Sequence, residues 1–239
     1  MLGILLKLNQ LNFFWFFIMI LFFCYLIGSI PTGLIIGKFF KKKDLRLLGS
    51  KNIGASNAAR VLGFKYGLLI FILDFLKGFL SIFIGFFLMQ IVCYYKNISF
   101  FLIDKTEIRI YFGFFVMLGQ MFSIFNNFQG GKAIATSVGV VFYINPFIGF
   151  FGILSFIIFL RIFGYAFLAS LISTLLVDFF LCICFYFNFL SFFPIYKKEI
   201  LIIFFITILI FVKHFSNIVN WLKSKENKFV FNAKKNKNL

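Results

Sequence analysis

Residues 49–65, GSKNIGASNAARVLGFK, carry the side chains best suited to phosphate chemistry in this chain. Glycines let the backbone approach a ligand closely, amides and hydroxyls donate hydrogen bonds, and cations supply the counter-charge. The residues of these types are Gly49, Ser50, Lys51, Asn52, Gly54, Ser56, Asn57, Arg60 and Lys65. The pattern predicts a phosphate-binding loop. The alternative is a polar loop between membrane helices whose lysines only fix orientation.

A second stretch of this kind is 119–136, GQMFSIFNNFQGGKAIAT. Gly130, Gly131 and Lys132 precede an apolar run, as in a loop that leads into a helix N-terminus. Such termini bind anions through free N–H groups and the helix dipole. The segment is not a nucleotide-binding P-loop, because Asn126 replaces its first glycine and Ala133 follows the lysine.

The third stretch, KHFSN at 213–217, contains His214, the only histidine in the chain. Asn217 follows three residues later, which places it on the same face of a helix. A lone histidine at a membrane interface is more often structural than catalytic, so its role depends on its neighbours.

Composition identifies the scaffold that must position these stretches. The chain is 62% hydrophobic, and its mean hydropathy is +1.04, which indicates one integral membrane domain of helices over 1–239. The net charge of +17 is concentrated in two regions, 38–65 and the basic C-terminal segment 213–239. Basic clusters beside membrane spans mark the cytoplasmic face and attract anionic headgroups. Nucleic acid is a poorer match, since no soluble basic surface is evident.

The first half of the chain divides into three hydrophobic helices. We predict helix one at 12–38 with a bend near Pro31, helix two at 66–92 and helix three at 110–126. The charged segment 94–109 is predicted to be an external loop. The basic loop after helix one indicates an external N-terminus.

The remaining apolar runs cover 134–160, about 162–190 and 200–212. The first is interrupted by Asn145-Pro146, which predicts a hairpin of two short helices. Four crossings after residue 134 keep the basic C-terminus cytoplasmic, whereas three would place it outside. The sequence therefore predicts an all-α protein with about seven membrane segments, and five is the alternative.

Three ionisable residues fall inside the predicted helices. Asp74 and Lys77 share a helical face, and they are either functional or an ion pair that joins helices. Asp178 is isolated and has no assigned role. It favours a rival function, a transporter of a phosphorylated metabolite, but a transporter of this kind typically shows repeated halves, and none is evident.

The stretches together resemble the bacterial acyl-phosphate:glycerol-3-phosphate acyltransferase family. The matching segments are GSIPTGLIIGK (28–38), DLRLLGSKNIGASNAARVLG (44–63), LDFLKG (73–78), GQMF (119–122), FQGGKAIAT (128–136), Asn145-Pro146, YAFLASL (165–171) and KHFSNIVNWLKSKENK (213–228). They extend over nearly the whole chain.

The resemblance implies the transfer of a fatty acyl group from acyl phosphate to the 1-hydroxyl of sn-glycerol 3-phosphate. The products would be 1-acyl-sn-glycerol 3-phosphate (lysophosphatidic acid) and phosphate, in the first step of phospholipid biosynthesis. It also implies a seven-helix protein of the bacterial inner membrane, a cytoplasmic-side site, no metal or nucleotide cofactor, and a functional link to an enzyme that makes acyl phosphate.

The same resemblance implies the site residues. By position, the catalytic group falls on Ser50, Lys132, His214 and Asn217, and substrate binding falls on Arg60, Asn52, Asn57, Gly130 and Gly131. Lys132 and the glycines would bind the acyl-phosphate head, and Arg60, His214 and Asn217 would hold glycerol 3-phosphate. Ser50 would donate a hydrogen bond to a substrate or to the developing oxyanion. A phosphate oxygen would take the hydroxyl proton, with His214 as the alternative base.

Five positions depart from the family pattern. Lys51 and Ala133 stand where glycine is usual, and both reduce backbone freedom in predicted phosphate loops. Ser56 replaces Thr and keeps the hydroxyl, Gln120 replaces His and still donates a hydrogen bond, and Ser123 replaces Pro.

Overall fold

The computed structural model describes residues 2–95 and 108–229, and within them the regular structure is helical, without a strand. The helices are α1 (Leu2–Ser29), α2 (Thr32–Lys41), α3 (Ala55–Leu62), α4 (Phe64–Tyr95), α5 (Arg109–Met121), α6 (Ile134–Ile144), α7 (Pro146–Phe163), α8 (Ala166–Tyr186) and α9 (Lys197–Leu222). A short 3-10 turn, Ile124–Asn126, follows α5. Most of the predicted external loop, 94–109, lies outside the described residues.

Five described segments are long and apolar enough to cross a membrane: Phe13–Lys41, Phe64–Tyr94, Pro146–Phe163, Ala166–Tyr186 and Lys197–Leu222. The apolar helix α6 is shorter, with 11 residues, and α5 has 13. The predicted all-helical membrane architecture is confirmed. The number of crossings and the orientation of the termini stay predictions, because the lengths of α5 and α6 do not decide them.

Both predicted breaks in the helices are present. The chain leaves helical geometry around Pro31, which separates α1 from α2 because proline lacks an N–H and clashes with the preceding turn. Asn145 caps α7, since its Oδ1 accepts the N–H groups of Phe147 at 3.1 Å and Ile148 at 3.2 Å. Pro146 occupies the first turn of α7, where its missing N–H costs nothing.

The helices differ from the prediction at several places. The first helix begins at Leu2 rather than at residue 12, and α3 lies within the stretch that was predicted to be a loop. The helix expected at 110–126 ends at Met121, because the chain turns there into the 3-10 segment and two left-handed residues, Asn127 and Phe128. The apolar run at 200–212 belongs to a much longer helix, α9, which continues to Leu222. Several polar residues of its last three turns, Lys213, His214 and Asn217 among them, line cavities.

Close approach of two helices fixes the loop that carries Lys132. A Cβ added at Gly78 of α4 would lie 2.2 Å from the Thr136 carbonyl oxygen of α6. A Cβ at Gly139 of α6 would lie 2.1 Å from the Phe75 oxygen of α4. Both positions therefore require glycine, and the small residues let the two backbones touch, as in other membrane helix pairs.

A buried polar cluster joins α2, α4 and α5. Lys77 donates to Asp74 at 2.8 Å, to the Gln120 side-chain oxygen at 3.0 Å and to the Ile30 carbonyl at 2.5 Å. Asp74 also accepts from Thr32 at 2.6 Å and from Gln120 at 3.1 Å. Asp74 and Lys77 are 3% and 7% exposed, so their charges are compensated inside the bundle. The ion-pair interpretation of these two residues is therefore the one that the geometry supports.

Candidate functional site

The three chemically distinctive stretches meet at one end of the bundle, around two adjoining cavities. The polar cavity has a volume of about 500 Å³, and the deep cavity has a volume of about 470 Å³. The residues that line both are Ser50, Asn52, Lys132, Asn217 and Glu226. These five residues form the junction between the cavities.

The two cavities differ in chemistry. Four lysines and one carboxylate line the polar cavity: Lys51, Lys132, Lys213, Lys225 and Glu226. This excess of positive charge suits a phosphorylated ligand. The deep cavity extends between α4, α6, α7, α8 and α9, and most of its wall is apolar. Examples of its lining residues are Phe71, Val141, Ile153, Phe156, Leu160, Ile206 and Ile210. A hydrocarbon chain fits such a wall.

A chain of hydrogen bonds runs through the junction. The Lys132 ammonium group donates to the Asn217 side-chain oxygen, and the Asn217 amide donates to Glu226 at 2.8 Å. Burial lowers the pKa of Lys132 to about 8, while the negative charge of Glu226 acts in the opposite direction. Asn217 thereby holds the lysine and the carboxylate in fixed positions without neutralising the pair through direct contact.

Arg60 approaches the same junction from α3 and lines the deep cavity. One terminal nitrogen donates to the Asn227 carbonyl at 3.2 Å. Its Nε is buried and has no hydrogen-bond partner within the described residues, so a donor remains available for an anionic ligand. Burial lowers the pKa of this guanidinium, and Glu226 opposes that shift, but arginine stays cationic at neutral pH.

His214 is buried in the wall of the deep cavity, on the same face of α9 as Asn217. Its Nδ1 lies 2.8 Å from the Ile210 carbonyl oxygen, which can only accept. The Nδ1 therefore carries the proton, and Nε2 of the neutral ring is left as an acceptor. The structure brings His214 into the site, as predicted, in a tautomer that can receive a proton.

Asn57 organises the loop that presents Ser50 and Asn52. Its amide nitrogen lies within hydrogen-bonding distance of the carbonyls of Leu45, Leu48 and Asn52, at 3.3, 3.0 and 2.8 Å. Its oxygen accepts the Ser50 N–H at 2.9 Å. Asn57 lines the deep cavity, but its polar atoms are engaged by the loop. Its predicted role as a substrate-binding residue is therefore better described as positioning.

The backbone N–H groups of Gly130 and Gly131 bond to the preceding segment of the chain. The Gly130 N–H donates to the Met121 carbonyl at 3.2 Å, and the Gly131 N–H donates to the Gln120 carbonyl at 2.9 Å. These two N–H groups are therefore engaged within the protein, but both glycines line the polar cavity, and their role in substrate binding stays a prediction. Gly130 is needed for close packing, since a Cβ there would lie 2.2 Å from the Gln120 carbonyl oxygen. The charge of this segment comes from Lys132.

Glu226 lines both cavities of the candidate site, although sequence reasoning gave it no role. It lies on a short strap, residues 224–229, that follows α9 and crosses the site. The strap is anchored at Asn227 by Arg60 and at Phe229, whose N–H donates to the Gly164 carbonyl at 2.7 Å. The available signal was a single acid within the basic segment 213–239. A lone carboxylate among cations is placed to bind and orient them.

Two of the departures from the family pattern coincide with unusual backbone geometry. Lys51 and Ala133 both adopt a φ of 58°, in the left-handed region that favours glycine. A non-glycine residue in this region costs about 1–3 kcal/mol unless the surroundings hold it there. The glycine that is usual at each position thus has a conformational explanation, and this chain holds two strained residues beside its site.

Comparison with known proteins decides the family. Residues 18–224 match the family model described as glycerol-3-phosphate acyltransferase, which is most of the chain. This chain belongs to that family. A glycerol-3-phosphate acyltransferase of Aster yellows witches'-broom phytoplasma (strain AYWB) is 46% identical over 224 residues, which cover 90% of this chain and 97% of the relative. A glycerol-3-phosphate acyltransferase of Staphylococcus aureus (strain Newman) is 38% identical over 213 residues, with 88% and 96% coverage.

Solved structures agree with this assignment. The crystal structure of PlsY (YgiH), described as an integral membrane glycerol 3-phosphate acyltransferase in its glycerol 3-phosphate form, superposes with a TM-score of 0.74 at 34% identity. The match covers 90% of this chain and 96% of that one. The lysophosphatidic acid form of the same protein gives a TM-score of 0.72. The resemblance is confirmed, and the chain is an integral membrane acyltransferase of phospholipid biosynthesis.

Replacing Ala133 with glycine should stabilise the protein. The left-handed strain at this position would be relieved, and the larger entropy of the unfolded chain would offset only part of that gain, leaving about 1 kcal/mol. Thermal unfolding of purified protein in detergent should therefore shift upward by about 2–4 °C. Ala135→Gly is the matched control, because residue 135 is in the first turn of α6 and should lower the midpoint. An Ala133→Gly midpoint at or below the parent value would contradict the strain argument.

Proposed function

We propose that the protein transfers a fatty acyl group from acyl phosphate to the 1-hydroxyl of sn-glycerol 3-phosphate. The products are 1-acyl-sn-glycerol 3-phosphate and inorganic phosphate. The observation that carries this proposal is the junction of a lysine-rich polar cavity with an apolar deep cavity at Lys132 and Asn217. One cavity suits a phosphate, and the other suits a hydrocarbon chain. The new ester bond would form at the junction between the two cavities.

The charges at the junction support acyl phosphate as the donor. Its hydrocarbon chain would occupy the deep cavity, and its phosphate would lie next to Lys132 and the unpaired Nε of Arg60. Glycerol 3-phosphate would enter through the polar cavity with its own phosphate among Lys51, Lys213 and Lys225. This arrangement assigns Arg60 to acyl phosphate rather than to glycerol 3-phosphate, because Arg60 lines the deep cavity and not the polar one.

The residues at the junction would then need only to position the two substrates and to stabilise the negative charge that develops during acyl transfer. The 1-hydroxyl oxygen attacks the acyl carbonyl carbon, the bond from that carbon to the phosphate oxygen breaks, and phosphate leaves with the bonding electrons. The hydroxyl proton passes to a phosphate oxygen, or to Nε2 of His214. Lys132 and Ser50 would stabilise the developing negative charge. In the described residues no hydrogen bond joins the Ser50 hydroxyl to a base, which favours direct transfer over a serine nucleophile.

We infer that the site faces the cytoplasm of a bacterial cell, at the inner membrane. The site is formed at the ends of α5, α7 and α9 and the beginnings of α4, α6 and α8. If α5 and α6 also cross the membrane, the structure has seven segments, with the N-terminus outside and the C-terminus inside. The clustered lysines at this end follow the positive-inside rule. A cytoplasmic enzyme that makes acyl phosphate would supply the donor.

Purified protein in detergent or lipid should release phosphate from palmitoyl phosphate only when glycerol 3-phosphate is present. Lysophosphatidic acid, identified by mass spectrometry, should accumulate in equal amount. Lys132→Ala should lower kcat/KM by at least roughly 100-fold, since it removes the main electrostatic group at the junction. Lys65→Ala is the matched control and should retain activity, because this exposed lysine belongs to the same stretch but lines neither cavity. Phosphate release without lysophosphatidic acid, or equal loss in both variants, would refute the proposal.

The alkaline limb of the pH profile should report Lys132. Its cationic form is the active one, so kcat/KM should fall as pH rises through the lysine pKa of about 8. Glu226→Gln removes the negative charge that raises this pKa, and the limb should therefore move to lower pH. The test is the pH at which kcat/KM falls, and a change in the maximal kcat/KM of the variant does not affect it. A limb that is unchanged or moves to higher pH would show that Lys132 does not control it.

A further inference from the structure

The four lysines of the polar cavity differ in how far their charge is available to a ligand. Lys132 lies at the junction, where it is assigned to acyl phosphate. The Lys213 ammonium group donates to the Met121 carbonyl at 2.7 Å. The side chains of Lys51 and Lys225 form no hydrogen bond or ion pair with the rest of the described chain. Both of these ammonium groups can therefore bind an anion.

Lys51 lies on the outer side of the junction. It is exposed and lines only the polar cavity, whereas its neighbours Ser50 and Asn52 line both cavities. The lysine is thus placed to contact a ligand in the polar cavity without contributing to the wall of the deep cavity. A substrate in the polar cavity is the one that its charge would affect most.

The backbone that carries this lysine is held in an unfavourable conformation. Lys51 has a φ of 58°, and Gly49, two residues earlier, has a φ of 61°. The Lys51 N–H donates to the Leu48 carbonyl at 3.0 Å, and Asn57 accepts the Ser50 N–H at 2.9 Å. These bonds hold the turn and fix the point from which the lysine side chain extends. Strained residues concentrate at functional sites, which favours a role for this side chain that glycine cannot perform.

The position of this cation suits the shape of glycerol 3-phosphate. The phosphate and the 1-hydroxyl group are at opposite ends of its three-carbon chain. A phosphate bound by Lys51 on the outer side leaves the hydroxyl end directed toward the junction, where Ser50 and Lys132 lie. The reverse orientation would bring the phosphates of both substrates together at the junction, where their negative charges repel each other.

We propose that Lys51 is an acceptor-binding residue that the usual family pattern, with glycine at this position, lacks. It raises the affinity for glycerol 3-phosphate and directs the 1-hydroxyl group toward the junction. The inference rests on the proposed function, because it assigns the polar cavity to glycerol 3-phosphate. Lys51 acts on the acceptor alone and does not contact acyl phosphate.

The test is the KM for each substrate in three variants of residue 51. Lys51→Ala and Lys51→Gly should both raise the KM for glycerol 3-phosphate by roughly fivefold, because one exposed ion pair with the phosphate is lost. The KM for palmitoyl phosphate should stay within roughly twofold of the parent value. Lys51→Arg keeps the charge and should keep the parent KM. Glycine relieves the backbone strain and alanine does not, so equal effects of these two variants assign the change to the charge.

Ionic strength gives an independent readout of the same contact. Raising the salt concentration from about 0.01 M to about 0.15 M shortens the Debye length from about 30 Å to about 8 Å. The KM for glycerol 3-phosphate should rise over this range in the parent protein, and it should rise less steeply in Lys51→Ala. An equally steep rise in the two proteins would show that Lys51 does not bind the acceptor phosphate.

Lys65→Ala is the matched control, because it removes the same charge from an exposed residue that lines neither cavity. Its KM values should be those of the parent. If the parent forms lysophosphatidic acid and Lys51→Ala has the same KM for glycerol 3-phosphate as Lys65→Ala, the inference is wrong while the proposed function stands. Equal increases in the KM for both substrates would also contradict it. If the parent forms no lysophosphatidic acid, the proposed function fails, and this inference fails with it.

Discussion

The need to compensate charge inside an apolar bundle governs this structure. Asp74 and Lys77 satisfy it with three further partners, and in doing so they join the break at Pro31 to α4 and α5. Gln120 belongs to this cluster through its side chain, and its carbonyl accepts the N–H of Gly131. The loop that carries Lys132 is therefore attached directly to the buried ion pair. Removing one charge would leave the other uncompensated, which is strongly destabilising.

At the end of the bundle that holds the candidate site, charge compensation is incomplete. Lys132 and Arg60 are only partly compensated, by Glu226 and by backbone or amide groups, so positive charge remains available to substrates. Glu226 accepts a hydrogen bond from Asn217 and lies near both cations, and its strap crosses the site. Such preorganised charge costs no rearrangement during the reaction. An apolar cavity adjoins this group of charges, which is the arrangement that the proposed pair of substrates requires.

Local signals in the sequence predicted the long apolar helices and the breaks between them, but not α3, which lies within the predicted loop at 49–65. Pro31 and Asn145-Pro146 set the breaks, and the helical spacing of His214 and Asn217 placed both on one face of α9. The sequence could not show that the N–H groups of Gly130 and Gly131 donate to backbone carbonyls, because those contacts depend on how the loop folds against α5. Nor could it show that a strap returns Glu226 to the site, because that contact depends on tertiary folding. The left-handed backbone at Lys51 and Ala133 gives a physical reason for the glycines that are usual there.

The central claim is that both substrates occupy the joined cavities at once and react directly. Initial rates measured while both palmitoyl phosphate and glycerol 3-phosphate are varied test this claim most directly. Simultaneous occupancy predicts double-reciprocal lines that intersect, and no phosphate release before glycerol 3-phosphate is added. Parallel lines, together with a burst of phosphate from acyl phosphate alone, would indicate a covalent acyl-enzyme and would contradict the account.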